Sequence, residues 1–156
     1  MKASFGHIGV AQDNIKFDGS IRLYSSVYYD QRLLTVNFST PNRCYNINCA
    51  NLDNKIASAK WWGLPITGLA GKAYITFYTD TNCHGHQAST TLPHSGGIRE
   101  FILPSVKGNI TSFMVRSESR IQRHGSANVC TWIGVNVTGG SVSEDENGRA
   151  DKLNNQ

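Results

Sequence analysis

The sequence predicts an all-β protein, and three observations lead to this prediction. Apolar and polar residues alternate with a period of two in several short segments, as in strands with one buried face. Only 17% of the residues are charged, and short polar residues that favour turns are frequent. The chain also repeats itself at an offset of 54 residues. No window predicts a long amphipathic helix.

The repeat joins a strand end to a hydroxyl-rich turn. Ile-Arg-Leu-Tyr at 21–24 returns as Ile-Thr-Phe-Tyr at 75–78, and the segment 53–58 returns in the same register at 107–112. A gapless repeat of this kind is typical of one supersecondary unit used twice. The sequence therefore predicts two related structural units.

The first unit covers about residues 20–62. Alternating segments at 20–24 and 34–38 predict two half-buried strands, and a third such segment ends at Trp61. Because Trp62 follows directly, one tryptophan is expected to face the core and the other the opposite face of the sheet.

The second unit covers about residues 74–117 and follows a Gly-rich linker at 63–71. Its first strand is predicted at 73–78 and its last at 113–116.

Two segments outside the repeat also predict strands. Residues 128–137 form an apolar run, and residues 7–10 are expected to pair with it. We expect residues 1–140 to form a single domain, since the chain is too short for two large cores. The polar segment 141–156 lacks aromatic residues and is predicted to be a disordered acidic tail.

The charge is distributed unevenly. Residues 1–140 carry a net charge of +6 and residues 141–156 carry −2. A basic domain favours acidic partners such as cell-wall polymers or anionic membranes. No stripe of basic residues interleaved with aromatic ones is visible, so we expect no nucleic-acid partner. We also expect neither a transmembrane segment nor a signal peptide within this sequence, because it has no long apolar run.

Four cysteines indicate two disulfides and a secreted protein, with buried free thiols as the alternative. The four residues are Cys44, Cys49, Cys83 and Cys130. Three pairings are open; we favour Cys44–Cys49 with Cys83–Cys130 because the first pair is local. Sequons occur at Asn37, Asn109 and Asn136, which would permit glycosylation, although chance alone gives a similar number.

The hairpin at the start of each unit resembles the Greek-key motif of βγ-crystallins. That motif has an aromatic residue, four residues, a second aromatic, one residue and then glycine. Residues 24–31 match it except for Gln31 in place of glycine, and residues 78–85 match it except for Cys83 in place of the second aromatic. The resemblance implies a βγ-crystallin-like Greek-key β-sandwich, with additional terminal strands outside the repeat.

The later turns resemble the calcium clamp of the same family, which has two Asn or Asp, any two residues, Ser or Thr, and Ser. The first copy departs at Ala57, and the second has lost both leading positions to Lys107 and Gly108. The resemblance implies at most one weak calcium site, formed by Asp53, Asn54, the Lys55 carbonyl and Thr111. The alternative is a pair of turns that bind no ion and require no cofactor.

Two further constellations were considered for metal binding and catalysis. Cys83, His84 and His86, with Asp80 and His94, could suggest zinc, but in a strand the cysteine faces away from both neighbouring histidines. No nucleophile with a base and an orienting group is evident, and no Gly-rich phosphate loop. Apart from Asp13 with Asp18, residues 1–140 contain no close pair of acidic residues. We therefore predict that the protein is not an enzyme.

Residues 90–99 are polar, Gly-rich and long for a hairpin connection, so they are a candidate binding loop with an idle connection as the alternative. The residues singled out are Leu92, Pro93, His94 and Arg99. A second candidate surface is basic and consists of Arg116, Arg120, Arg123 and His124.

The expected disulfides, the basic charge and the lack of catalytic residues favour a secreted and non-enzymatic protein, which we expect to be monomeric. Small microbial members of the family resemble killer toxins and protease inhibitors. We therefore expect it to bind a macromolecule of another organism, as an effector, toxin or protease inhibitor acting on a host or competitor protein or a cell-surface polymer. The alternative function is that of a calcium-binding structural or stress-protection protein.

Overall fold

The computed structural model describes residues 16–68, 71–92, 95–119, 121–133 and 140–144. Within these ranges the chain forms twelve strands and two short 3-10 turns, which confirms the all-β prediction. The first unit contains β1 (Gly19–Ser26), β2 (Asp30–Phe38), β3 (Cys44–Asn46) and β4 (Ser58–Trp62). The second contains β7 (Tyr74–Asp80), β8 (His84–Thr91), β9 (Ser95–Ile98) and β10 (Ser112–Arg116).

The remaining elements lie outside the two units. A two-stranded hairpin of β5 (Thr67–Gly68) and β6 (Gly71–Lys72) occupies the predicted linker. The last strands are β11 (Ser126–Asn128) and β12 (Ser141–Ser143), and the two 3-10 turns are Thr81–Cys83 and Val129–Trp132.

The strand order confirms a sandwich of two Greek keys. One sheet has the order β12-β2-β1-β4-β9 and the other the order β11-β3-β10-β7-β8. Each unit thus places three strands in one sheet, while its third strand, β3 or β9, lies in the sheet of the other unit. These strands pair antiparallel, and the added edge strands β11 and β12 pair parallel.

The core between the sheets is rich in aromatic residues. Phe113 packs against Phe38 with ring centroids 5.2 Å apart and stacks on Tyr45 at 5.3 Å. Trp61 is buried in this core, whereas its neighbour Trp62 is only half-buried on the outer face of the first sheet. The predicted division of the two tryptophans between opposite faces is confirmed.

The 54-residue repeat extends to individual hydrogen bonds. The hydroxyl of Ser58 donates to the Ser26 carbonyl at 2.6 Å and accepts from the Tyr29 N–H at 3.1 Å. The residues 54 positions later make the same two contacts, at 2.6 and 3.1 Å. Gln31 adopts a left-handed φ of 62°, so the backbone keeps the conformation that glycine supplies at the equivalent position 85.

The disulfide pairing differs from the prediction. Cys44 is bonded to Cys83 and Cys49 to Cys130, with Cα–Cα distances of 5.8 and 5.4 Å. The local pair was wrong because β3 crosses into the second sheet. There it contacts both 3-10 turns, which carry the other two cysteines.

The predicted strand at 128–137 was also wrong in its first half. Asn128 ends β11, and its side chain accepts a hydrogen bond from the Cys130 N–H at 3.0 Å, which caps the following 3-10 turn. The turn buries Val129 and Trp132 on one side of the core. Residues 134–139 and the predicted strand at 7–10 lie outside the described residues.

The expected start of a disordered tail at residue 141 was wrong. Ser141–Ser143 forms β12, which pairs with β2 and buries Val142 against the core. The apolar Val142 and the following Glu144 both find partners in the sandwich, which orders this short segment. Residues 145–156 lie outside the described residues.

Glu144 fastens β12 through a buried carboxylate. Tyr45 Oη and the Ser39 N–H donate to its Oε1 at 2.7 and 2.8 Å. Thr40 Oγ1 donates to Oε2 at 3.1 Å, and Arg43 forms an ion pair with the same oxygen. Burial alone would raise the pKa of Glu144, but the hydrogen bonds and the Arg43 charge outweigh it and lower the pKa.

Asn42 fastens the segment that follows β10. It is fully buried and has a left-handed φ of 56°. Its side-chain amide donates to the carbonyls of Ser119 and Ile121 at 2.8 and 2.7 Å. Its side-chain oxygen accepts from the Ser117 and Glu118 N–H groups at 3.1 and 2.8 Å. One side chain therefore satisfies four backbone groups of a segment that has no regular structure.

Replacing Asn42 by alanine should lower the free energy of unfolding by about 2–4 kcal/mol, because several backbone groups lose their partner at once. Asn42→Gly, which tolerates the left-handed φ, separates the hydrogen-bond loss from backbone strain. Urea denaturation measures both. The control is Asn51→Ala in an exposed turn, and an Asn42 variant as stable as this control would contradict the assignment.

Glu144→Gln should remove an acid-sensitive part of the stability. Because the folded pKa is below the ordinary value of 4.5, the Glu144 contribution is complete above about pH 4.5 and is lost as the pH falls through the folded pKa. The variant should lose about 1–3 kcal/mol at neutral pH and respond less to acid. Urea titrations between neutral and acidic pH, with Glu100→Gln as the control, measure this; equal acid sensitivity of Glu144→Gln and wild type would exclude it.

Candidate functional site

The loops that precede β4 and β10 meet at the same place in the sandwich. The Asn54 N–H donates to the Ile110 carbonyl, and Thr111 Oγ1 donates to Asp53 Oδ1 at 2.9 Å. Beside this contact lies an open groove of about 800 Å³. Its lining is mostly polar and includes Asp53, Thr79, Asp80, Asn82, Asn109 and Thr111.

This first groove contains the residues that the resemblance to the calcium clamp singled out. Asp53 and Thr111, which come from different units, are in direct contact as expected. Asn54 lines the same groove with a left-handed φ of 62°. Lys55 is exposed, and its N–H donates to the Leu52 carbonyl at 3.0 Å. The available donors are carboxylate, hydroxyl and amide oxygens, which suit a hard cation such as calcium.

The equivalent positions in the other half carry different chemistry. Lys107 stands 54 residues after Asp53, Gly108 after Asn54, and Ala57 stands 54 residues before Thr111. The Ala57 N–H donates to the Tyr24 carbonyl at 2.8 Å, as the Thr111 N–H does in its own unit, so the backbone is retained. The side chains there offer no oxygen, and an ammonium group replaces a carboxylate. This second position does not fit a cation.

Two neighbouring segments carry three exposed apolar side chains, which we call the apolar tip: Tyr28, Ile102 and Leu103. They are 64%, 72% and 48% exposed, respectively. The turn that carries Tyr28 contacts the loop that carries the other two, since the Tyr28 N–H donates to the Arg99 carbonyl at 2.8 Å. These residues were not among the predicted site residues, although an adjacent Ile and Leu between the strands predicted at 73–78 and 113–116 were a visible signal.

The prediction that residues 90–99, the candidate binding loop, form a long loop was wrong. β8 continues to Thr91, Leu92 is buried in the core, and β9 pairs with β4 from residue 95 onwards. The segment crosses between the sheets, as the third strand of a Greek key must. Pro93 and His94 lie outside the described residues. Arg99 is exposed and directly follows the last residue of β9.

Among the described residues, those that the sequence suggested for zinc are not grouped as a metal centre, and His94 lies outside the described residues. Cys83 is bonded to Cys44 and so offers no thiolate, while His84 and His86 are exposed on β8. Across the described part of the chain, no three His, Cys, Asp or Glu side chains are grouped to hold a metal ion. No described cysteine is free.

The candidate basic cluster is divided among local partners. His124 Nε2 contacts Glu118 Oε1 at 2.6 Å. Arg116 lies over the ring of Tyr74, 5.4 Å from the centroid. The N–H of Arg123 donates to the Asn42 carbonyl, and Arg120 lies outside the described residues. Two of the described members, Arg116 and His124, therefore have an aromatic or an acidic partner.

The sequons differ in accessibility. Asn37 is half-buried and its side chain donates to Ser143 Oγ at 3.3 Å. Asn109 is exposed, and its side chain donates to the Ser105 carbonyl at 3.5 Å. Asn136 lies outside the described residues. Asn109 is thus the more accessible of the two described acceptors.

The structure brings together a stripe of basic and aromatic residues that the sequence analysis did not find. On the outer face of the first sheet, Lys60 Nζ lies 5.2 Å from the ring centroid of Tyr29 and 5.9 Å from that of Trp62. The Arg22 guanidinium lies 4.7 Å from the Trp62 ring. We call these four residues the cation–aromatic strip. The sequence shows no such stripe because the four residues come from separate segments of the chain.

The strand order, the exchanged third strands and the repeated hydroxyl contacts define a two-Greek-key sandwich of the βγ-crystallin type. No protein-family model matches the sequence, and no curated protein matches it significantly. Comparison with solved structures finds βγ-crystallin domains. No helix in the described residues is long and apolar enough to cross a membrane.

Three of these similar structures indicate the extent of the likeness. A βγ-crystallin domain from Clostridium beijerinckii is 16% identical, with a TM-score of 0.41 over 62% of this chain and 97% of that one. The N-terminal domain of protein S is 20% identical, with a TM-score of 0.41 over 63% and 96%. A domain from Flavobacterium johnsoniae is 20% identical, with a TM-score of 0.37 over 62% and 93%. The likeness concerns the fold alone.

Proposed function

We propose that the protein is a secreted, non-enzymatic binding protein whose target is a macromolecule of another organism. The apolar tip is the observation that carries this proposal. Large exposed apolar side chains that lie together on one surface are typical of protein-binding sites, and tyrosine is enriched among the residues that dominate binding energy.

The backbone around the tip is held by several hydrogen bonds. The N–H groups of Val106 and Lys107 both donate to the Leu103 carbonyl, at 2.9 and 2.8 Å. The Phe101 N–H donates to the Ala57 carbonyl at 3.1 Å, and the Phe101 ring is buried in the core. A loop held in this way loses little conformational entropy on binding, which favours affinity.

The repeat provides an internal comparison for the tip. The residues 54 positions away from Tyr28, Ile102 and Leu103 are Asn82, Asn48 and Cys49. Those three are polar or disulfide-bonded, so the fold does not itself require apolar residues at these positions. Exposed apolar residues that the fold does not need support a role in binding.

The two disulfides support the proposed location outside the cell. Cys44–Cys83 and Cys49–Cys130 join segments that are 39 and 81 residues apart in the chain. Bonds of this kind form and persist in oxidising compartments. They also join the segment around β11 to the sandwich, and such cross-links stabilise the folded state of a protein outside the cell.

Replacing both Ile102 and Leu103 by serine should weaken target binding by at least about tenfold, because a central apolar contact is lost. The measurement is capture from host or competitor extracellular extract by the immobilised protein, with quantification of each captured protein. Residual activity of a protease panel, measured with the same variants, tests the inhibitor form of the proposal.

The matched control is Ile121→Ser with Ile66→Ser, which removes two exposed apolar residues that lie outside the tip. The proposal expects a set of captured proteins that the control retains and the tip variant loses. The proposal would be contradicted if the tip variant and the control variant captured the same proteins in equal amounts.

A single calcium site in the first groove is the second candidate function, and the contact between Asp53 and Thr111 favours it. The carboxylate and the hydroxyl belong to different units and are 2.9 Å apart. A cation held between them would link the two units directly. The nearby carbonyl of Lys55 and the side chain of Asn54 would supply further oxygen ligands.

Calcium should raise the melting temperature of the wild type and leave that of Asp53→Ala unchanged. A cation at one hundred times its Kd stabilises the folded state by about 2.7 kcal/mol, which corresponds to a rise of several degrees. Thermal denaturation with and without calcium, supported by calorimetric titration, measures the effect.

Lys107→Ala at the equivalent position of the other unit is the control and should respond to calcium as the wild type does. An unchanged wild-type melting temperature at millimolar calcium would exclude the site. A response that survives in Asp53→Ala would assign the cation to other residues.

A further inference from the structure

The cation–aromatic strip lies on the outer face of the first sheet, and none of its residues lines the first groove. The pairing of β1 with β4 places Arg22 opposite Lys60. The residues next to them, Ile21 and Trp61, are buried in the core, so the strip faces outwards. Ser20 and Asn37 share this outer face with the strip because they pair across β1 and β2.

Glycine at position 97 makes room for the first ring of the strip. A Cβ atom at Gly97 would lie 2.7 Å from the Tyr29 hydroxyl and 2.7 Å from the Ala59 carbonyl. Gly97 pairs with Lys60 across β4 and β9, so the Tyr29 hydroxyl lies over a position of β9 that has no side chain. Tyr29 itself has a left-handed φ of 60°. The position of this ring therefore depends on both backbone and packing.

Among the described residues, the two cations of the strip have aromatic partners and no acidic partner. The ion pairs among described residues are Arg43–Glu144 and His124–Glu118, and neither includes Arg22 or Lys60. Rings hold cations by their negative faces without neutralising the charge. The strip thus presents two positive charges at defined positions on the surface of a domain whose net charge is +6 over residues 1–140.

We propose that the strip binds an acidic polysaccharide whose carboxylates contact Arg22 and Lys60. This inference rests on the proposed function, in its form of binding to a cell-surface polymer. Two fixed cations beside hydroxyl and amide groups suit an extended chain that carries repeated carboxylates and hydroxyls. Single-stranded nucleic acid is less suited, because it needs open ring faces for base stacking and the Tyr29 and Trp62 faces already contact cations.

The probe is sodium polygalacturonate, with dextran as a neutral polymer and an oligothymidylate as single-stranded DNA. Arg22→Gln with Lys60→Gln should weaken polygalacturonate binding by about tenfold, and added salt should weaken wild-type binding. Lys72→Gln with Arg123→Gln removes the same charge elsewhere and should retain most of the binding. Calorimetric titration measures affinity, and urea denaturation checks that each variant is folded.

Three results would overturn the inference. The first is no binding of polygalacturonate by the wild type at low salt. The second is an equal loss of affinity in both charge variants, which would show that binding depends on the net charge of the protein and not on the strip. The third is tighter binding of the oligothymidylate through the same residues. Capture that still depends on the apolar tip would leave the proposed protein target intact, so failure of one proposal is separable from failure of the other.

Discussion

The exchange of third strands between the two sheets is the constraint on which the rest of the structure depends. β3 pairs with β10 and β9 pairs with β4, so neither unit completes its own sheet. Each connection to or from the third strand must then cross the sandwich and bury part of its length. This crossing brings the loops before β4 and β10 together, where Asp53 contacts Thr111. It also determines which cysteines can pair.

The backbone keeps its twofold repeat while the side chains have diverged. The two buried serines make hydrogen bonds of equal length, and residues 28, 29 and 31 share left-handed φ values with residues 82, 83 and 85. Gln31 shows how strongly the fold imposes this geometry, since it adopts a conformation that normally favours glycine. Contacts that use main-chain atoms tolerate substitution, whereas a ligand site requires particular side chains at both of its halves.

Local patterns in the sequence predicted the parts of the fold that depend on local chemistry. The period-two alternation and the repeat predicted β1, β4, β7 and β10 and the opposite orientation of Trp61 and Trp62. The disulfide pairing, the strand β12 and the burial of Leu92 depend on contacts between distant segments, which no local pattern reports. The contact of Asp53 with Thr111 was implied by the resemblance. The apolar tip and the cation–aromatic strip were not, because burial and strand register decide which residues are exposed together.

The side chains at the two clamp positions differ in charge between the two units. Asp53 and Lys107 occupy equivalent backbone positions with opposite charge. The carboxylate at the first position favours a cation, and the ammonium group at the second repels one. The loop that carries Lys107 does not present oxygen ligands to a cation, and the same loop carries the exposed apolar residue Ile102. In a symmetric pair of calcium sites both loops would be constrained to present oxygens. A loop that does not have to present oxygen ligands can carry exposed apolar residues, as the Lys107 half does at Ile102 and Leu103.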